Sequence, residues 1–199
     1  MNSPLKRAGA IVGIIAIVAA AMFGAAIATP TASVGQETKP HLMLTLEKGV
    51  IDIELLPELA PLHVERIVTL TERGDYNGVV FHRVIDGFMA QTGDVKFGKT
   101  GGPDYNLANA GMGGSDLPDV EAEFNAESFT RGAVGAARTQ DPDTFNSQFF
   151  ICFADCTFLN GQYTVFGRVV SGMEAVDKIT RGEPPANPDK IISAKIEYK

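Results

Sequence analysis

Phe81-His82-Arg83-Val84-Ile85-Asp86-Gly87-Phe88-Met89-Ala90-Gln91-Thr92-Gly93-Asp94 is the stretch on which the reading of this chain turns. It sets one arginine and one glutamine among large apolar residues at alternating positions. Residues two apart on a strand share a face. Arg83 is therefore expected beside Phe81 and Ile85, and Met89 beside Gln91. A fixed cation and an amide next to apolar side chains suit a short peptide with an apolar ring and a polarisable carbonyl. A proline peptide has both.

Working outward, Leu42 to Leu46 and Val50 to Leu55 alternate apolar and polar residues around Glu47-Lys48-Gly49. That pattern predicts a β-hairpin. Residues 57–73 predict a helix, with Pro57 or Pro61 near its first turn and Gly74 at its end. Residues 96–124 lack periodicity and are dense in Gly, Pro, Asp and Asn. A loop of that length is expected to pack as a unit with its own hydrogen bonds. Strands are expected over 132–137, 148–153 and 163–170, a short helix over 173–180, and a last strand over 190–198. Many short strands with two helices predict a mainly β protein, a closed antiparallel barrel that leaves no strand edge exposed.

A second motif lies downstream. It comprises Asn146-Ser147-Gln148-Phe149-Phe150-Ile151, then Phe158-Leu159-Asn160-Gly161-Gln162-Tyr163-Thr164-Val165-Phe166-Gly167-Arg168-Val169. With both motifs in this order, the chain resembles the cyclophilin-type peptidyl-prolyl cis-trans isomerases from about Leu42 to its C-terminus. The segment Ala137-Arg138-Thr139-Gln140-Asp141-Pro142-Asp143 looks like the bacterial periplasmic branch.

The resemblance implies an eight-stranded antiparallel barrel capped by two helices, and an enzyme that needs no cofactor and no metal. It implies that Arg83 is the catalytic group. Phe88, Met89, Phe150 and Leu159 would surround the proline ring, and Gln91 would bind the substrate backbone. Thr139, Gln148, Phe158 and Tyr163 complete the implied substrate-binding set. Thr139 stands where the family has an asparagine that pairs through its main chain. Phe158 replaces a tryptophan of many eukaryotic members, so the indole N–H is absent and weak cyclosporin binding is expected. Tyr163 replaces a pocket histidine, so activity should vary little across neutral pH. A non-catalytic proline-peptide-binding chaperone on the same barrel is the rival reading, and a membrane-anchored structural protein is a third.

Lys6 and Arg7 precede an apolar run from Ala8 to Ala28 with no acidic residue before it ends. This is the pattern of a secretory signal, although the run also reaches membrane-spanning length. Residues 1–28 are thus expected to be a cleaved signal or a retained anchor. Residues 29–40 are expected to be a flexible tether, and 41–199 the isomerase-like domain. Export to the periplasm follows, either released or held at the inner membrane. The formal charge of −7 argues against nucleic acid as a partner. Proline-containing unfolded polypeptides are the expected partners, a membrane enters only through the first segment, and a monomer is expected.

Cys152 and Cys156 lie four apart, about 13 Å if the segment is extended, beyond the roughly 7 Å that a disulfide spans. Burial of Cys152 in the core is favoured, and a bond would need a turn at Ala154-Asp155. His82, on the face opposite Arg83, is expected to be packed rather than to act as a base. His41 and His63 show no partner pattern. Asp116, Asp119, Glu121 and Glu123 are read as a solvated acidic loop rather than a metal site.

Overall fold

The computed structural model describes residues 38–199. The predicted signal or anchor, and the tether up to residue 37, lie outside the described residues. Eight antiparallel strands form one sheet. They are β1 (Pro40–Leu46), β2 (Gly49–Leu55), β3 (Arg83–Ile85), β4 (Met89–Thr92), β5 (Ala133–Ala136), β6 (Phe149–Cys152), β7 (Val165–Ser171) and β8 (Ser193–Tyr198). The order across the sheet is β3-β4-β6-β5-β7-β2-β1-β8. Two helices, α1 (Pro61–Glu72) and α2 (Met173–Asp177), accompany it.

Period-two alternation builds the core. Leu42, Leu44 and Leu46 of β1 and Ile51, Ile53 and Leu55 of β2 point inward and are buried. The hairpin register pairs Leu44 with Ile51, so the two apolar rows meet. Val64, Ile67 and Leu70 of α1 join them at helical spacing. Each such side chain contributes about 1.5–3 kcal/mol when fully removed from water.

The sheet curls into a half-barrel. Its end strands β3 and β8 do not pair, so the closed ladder expected from sequence is not formed. A backbone seam lies nearby instead. Gly78 N–H donates to Ile191 O at 2.7 Å, Ile191 N–H to Val79 O at 2.8 Å, and Phe81 N–H to Asp189 O at 2.8 Å. The chain ahead of β3 thus meets the chain ahead of β8.

Element edges differ from expectation in ways that have causes. α1 starts at Pro61, not Pro57, because Leu56 to Ala60 form a turn in which Leu59 and Ala60 N–H both donate to Leu56 O. β1 starts at Pro40, inside the predicted tether, because its pairing with β8 already includes Pro40 opposite Tyr198. α2 ends at Asp177, short of the predicted Thr180. The helix cap on α1 is supplied from far away. Glu123 accepts from Leu62 N–H at 3.1 Å and from His63 N–H at 3.0 Å, satisfying donors at the helix start. Its other contact, 2.6 Å to His63 Nδ1, gives that histidine a buried partner. Asp116 pairs with Arg73, and Asp119 accepts from Asn146. Of the four acids read as a solvated loop, Glu123 is a part-buried structural partner, while Asp116, Asp119 and Glu121 are exposed as expected.

Candidate active site

The site is a row across four neighbouring strands. Arg83 of β3 pairs with Gln91 of β4, Gln91 with Phe150 of β6, and Phe150 with Gly135 of β5. Directly opposed residues share a face, so these four stand side by side. Met89 lies two residues from Gln91, opposite Ile85 and Cys152. Their neighbours Val84, Ala90, Ile151 and Val134 enter the main core. The row therefore lies on the opposite face, where Met89, Phe129, Phe150, Leu159 and Val165 form a second apolar cluster.

The expected neighbour Phe81 is not in the row. β3 begins only at Arg83, and Phe81 turns into the main core, fully buried. His82 is also buried, and burial holds its pKa below the usual histidine range. It lines neither of the cavities described below.

A cavity of about 200 Å³ opens on this face. Arg83, Phe88, Met89, Gln91, Ala137, Arg138, Phe150, Leu159 and Tyr163 line it. Seven of these nine were expected; Ala137 and Arg138 were noted in sequence without a place in the wall. The walls are pre-packed. Phe129 stacks on Phe150 at 5.7 Å, Tyr163 meets Phe150 edge-on at 6.0 Å, and the Arg138 guanidinium lies 4.2 Å over the Tyr163 ring. Phe158 is not in the wall. It is 63% exposed and leans on Phe88 with ring centroids 5.4 Å apart.

Gln148 and Thr139 belong to an adjoining cavity of about 550 Å³, which Gln91 and Arg138 also line. A chain of amides crosses the boundary. Gln91 Nε2 donates to Gln148 Oε1 at 3.0 Å, and Gln148 Nε2 donates to Gly113 O at 2.7 Å and Gly111 O at 3.0 Å. This leaves Gln91 Oε1 facing Arg83, with a long 3.5 Å contact to Nη1. The Thr139 main chain is already engaged. Its N–H donates to Thr144 Oγ1 at 3.0 Å, and its carbonyl accepts from Arg138 Nη1 at 2.8 Å.

The long loop that carries Gly111 and Gly113 is held by one buried carboxylate. Asp94 Oδ1 accepts from Lys96 and Phe97 N–H, and Oδ2 from Gly111 and Gly113 N–H, at 2.7–3.0 Å. Asn146 fixes the next turn by accepting from Ser115 N–H at 2.6 Å.

Arg83 is half-exposed. Its Nε donates to Glu183 Oε2 at 2.9 Å. Glu183 carries no motif in the sequence and was missed there. Its only prior signal was its place in a Gly-Pro-rich loop. Cys152 and Cys156 are both buried, unbonded thiols. Burial pushes both thiols up, away from the reactive thiolate.

A family model described as cyclophilin type peptidyl-prolyl cis-trans isomerase/CLD matches residues 41–196. A protein named probable peptidyl-prolyl cis-trans isomerase from Brucella suis biovar 1 (strain 1330) is 52% identical over 187 residues, covering 92% of this chain and 95% of that one. The crystal structure of cyclophilin AquaCyp293 from Hirschia baltica superposes with a TM-score of 0.66 at 30% identity, over 78% of this chain and 73% of that one. A Cryptosporidium parvum cyclophilin type peptidyl-prolyl cis-trans isomerase, crystallised in the presence of the dipeptide ala-pro, superposes at 0.68. It is 24% identical and covers 80% of this chain and 99% of its own, so it speaks for the fold alone.

Proposed function

This chain belongs to the cyclophilin-type peptidyl-prolyl cis-trans isomerase family, and we propose that it accelerates X–Pro rotation with Arg83 as its catalytic group. The observation that carries this is the row of Arg83, Gln91 and Phe150 lining one cavity with Phe88, Met89 and Leu159.

The barrier to overcome is amide conjugation, about 18–20 kcal/mol. No covalent bond need form. A site that binds the twisted amide better than the planar one lowers that barrier. The proline ring fits the slot between Phe88, Met89, Phe150 and Leu159, which fixes one side of the rotating bond. Gln91, oriented by Gln148, holds the peptide backbone on the other side. As conjugation breaks, the proline nitrogen pyramidalises and gains a lone pair. The end of the Arg83 guanidinium is the donor available to it. A positioned donor beside an apolar wall stabilises that charge without reorganising water. Thr139 contributes least, because its main-chain groups are already engaged.

A protease-coupled assay on a proline tetrapeptide tests the reading. Arg83→Ala is expected to lower kcat about 10²–10³-fold, the usual cost of removing one such donor. If wild type shows no rate above background but still binds the peptide, the protein is a binding module and the catalytic reading is wrong.

The cellular setting belongs to the same proposal. Lys6 and Arg7 ahead of the apolar run to Ala28 support export to the periplasm, where newly translocated chains present X–Pro bonds. N-terminal sequencing of the mature chain with membrane fractionation tests it. A chain retained in the cytoplasm with an intact Met1 would refute it. Among the described residues no helix is long and apolar enough to cross a membrane.

A further inference from the structure

Arg83 sits on a three-residue edge strand and is half-exposed, so its own strand does little to aim it. The loop between α2 and β8 supplies the aim. It docks on β3 through a two-way backbone bridge: Val84 N–H donates to Gly182 O at 2.8 Å, and Gly182 N–H to Val84 O at 2.9 Å. Gly182 has φ +147°, and a Cβ there would lie 2.5 Å from Pro185 Cα, so a side chain would break the turn. On one side of the bridge, Arg181 Nε donates to Asp86 at 3.0 Å while its guanidinium lies 4.1 Å over Phe153. On the other side, Glu183 takes Arg83 Nε at 2.9 Å. The base of the loop is tied as well: Asp189 Oδ2 accepts from Thr180 N–H and from Lys48 Nζ, each at 2.7 Å.

We propose that Glu183 is a positioning residue for the catalytic arginine, presented by a loop built to hold it. This rests on the reading of Arg83 given above. A guanidinium has a side edge, which includes Nε, and an end edge of two Nη groups. Glu183 occupies the side edge at Nε. Gln91 Oε1 lies 3.5 Å from Nη1, and Nη2 has no protein partner among the described residues. The end of the fork is thereby left to the substrate, with its plane set before the peptide arrives. A free arginine would sample many rotamers and would have to be ordered in each turnover. The pair is half-exposed, so it acts through orientation more than through net stability.

The test uses the full chain and a proline tetrapeptide. Glu183→Ala is expected to lower kcat about fivefold with KM within about twofold, because substrate contacts remain and only the donor's orientation is lost. Glu183→Gln keeps an acceptor for Nε and should recover most of the loss. The Arg83 Nε–H resonance should shift in Glu183→Ala and stay near its place in Glu183→Gln, independently of any rate. In an Arg83→Ala background, Glu183→Ala should add nothing. A wild-type kcat in Glu183→Ala, or a raised KM at unchanged kcat, overturns the proposal. So does an unmoved resonance. The two readings fail differently: a fully active Arg83→Ala removes the catalytic role itself, whereas an inactive Arg83→Ala beside a fully active Glu183→Ala removes only the brace.

Discussion

Gly135→Ala is the sharpest probe of the apolar slot. Gly135 lies under Phe150 in the cross-strand row, and its backbone is not in the positive-φ region. Alanine can adopt that backbone, so the effect is steric. A Cβ there would lie 2.5 Å from Phe129 Cε1, 2.5 Å from Phe150 Cζ and 2.9 Å from Phe150 Cε2. Carbon contacts settle near 3.5–4.0 Å, so a ring must retreat by roughly 1 Å. Phe129 is fully buried and stacked on Phe150, so it has nowhere to go. Phe150 has the cavity of about 200 Å³ on its free side. It should move there, into the space for the proline ring.

Overpacking of this kind costs about 1–3 kcal/mol of stability. A shift of about 1 Å in a substrate-positioning group can cost up to about 10²-fold in rate. Urea unfolding should therefore show a lower midpoint, and the protease-coupled assay a kcat/KM reduced about 10–100-fold, mostly through KM. A Gly135→Ala protein with lowered stability but wild-type kcat/KM would refute the reasoning. It would mean that the ring relaxes away from the cavity, or that the cavity does not bind the ring.

Other outcomes follow from the same geometry. Arg83→Lys should recover only part of the activity lost in Arg83→Ala, since an ammonium keeps the charge but lacks the planar fork that Glu183 grips at Nε; equal activity of Lys and Arg, compared by kcat, would count against orientation. Phe158→Trp should strengthen cyclosporin binding measured by titration calorimetry, because position 158 is exposed beside Phe88 and an indole N–H there is free to donate; nanomolar inhibition of wild type would contradict the starting premise. No histidine lines the cavity, so kcat/KM should change less than about twofold between about pH 6 and 8, the span in which an unperturbed histidine would titrate; a steep rise near pH 6–7 would disprove this. Stability should behave differently. Burial holds the pKa of His63 and His82 below the usual value, so the unfolded chain takes up protons that the native state refuses. The contribution of these two histidines is then fully present above about pH 6.5 and is lost as pH falls from there toward the folded values. Urea midpoints at stepwise lower pH check the slope, and a flat profile down to about pH 5 would refute it.

Local periodicity was legible and long-range contact was not. The hairpin and most strands were visible because alternation is a property of neighbouring residues. The motif from Phe81 to Asp94 was seen as one strand and is two, because Asp86-Gly87-Phe88 turn the chain. Phe81 lies ahead of β3, which begins only at Arg83, so it enters the main core while Arg83 stays on the site face. Glu123 looked like one acid among several, yet it caps a helix that starts 62 residues earlier at Pro61. No local pattern marks such a pairing. Glu183 is the same case: its partner lies 100 residues away. The main set of pocket residues came through the family resemblance, and the register explains why those residues meet.

The length of the first motif has its own reason. Only Arg83, Phe88, Met89 and Gln91 within it line the slot. The residues that follow hold the row in place. Thr92 hydroxyl donates to Val80 O at 2.9 Å, tying the end of β4 to the chain ahead of β3. Gly93 lies so close to the chain entering β6 that a Cβ would approach Ser147 O to 2.5 Å. Asp94 gathers four N–H groups of the long loop and so places the carbonyls of Gly111 and Gly113 that orient Gln148. A slip of one residue in β4 would send Gln91 to the core and Ala90 to the slot. The apparently idle Thr92-Gly93-Asp94 thus sets the register that makes Arg83, Gln91 and Phe150 neighbours, and the motif has to continue past its last site residue.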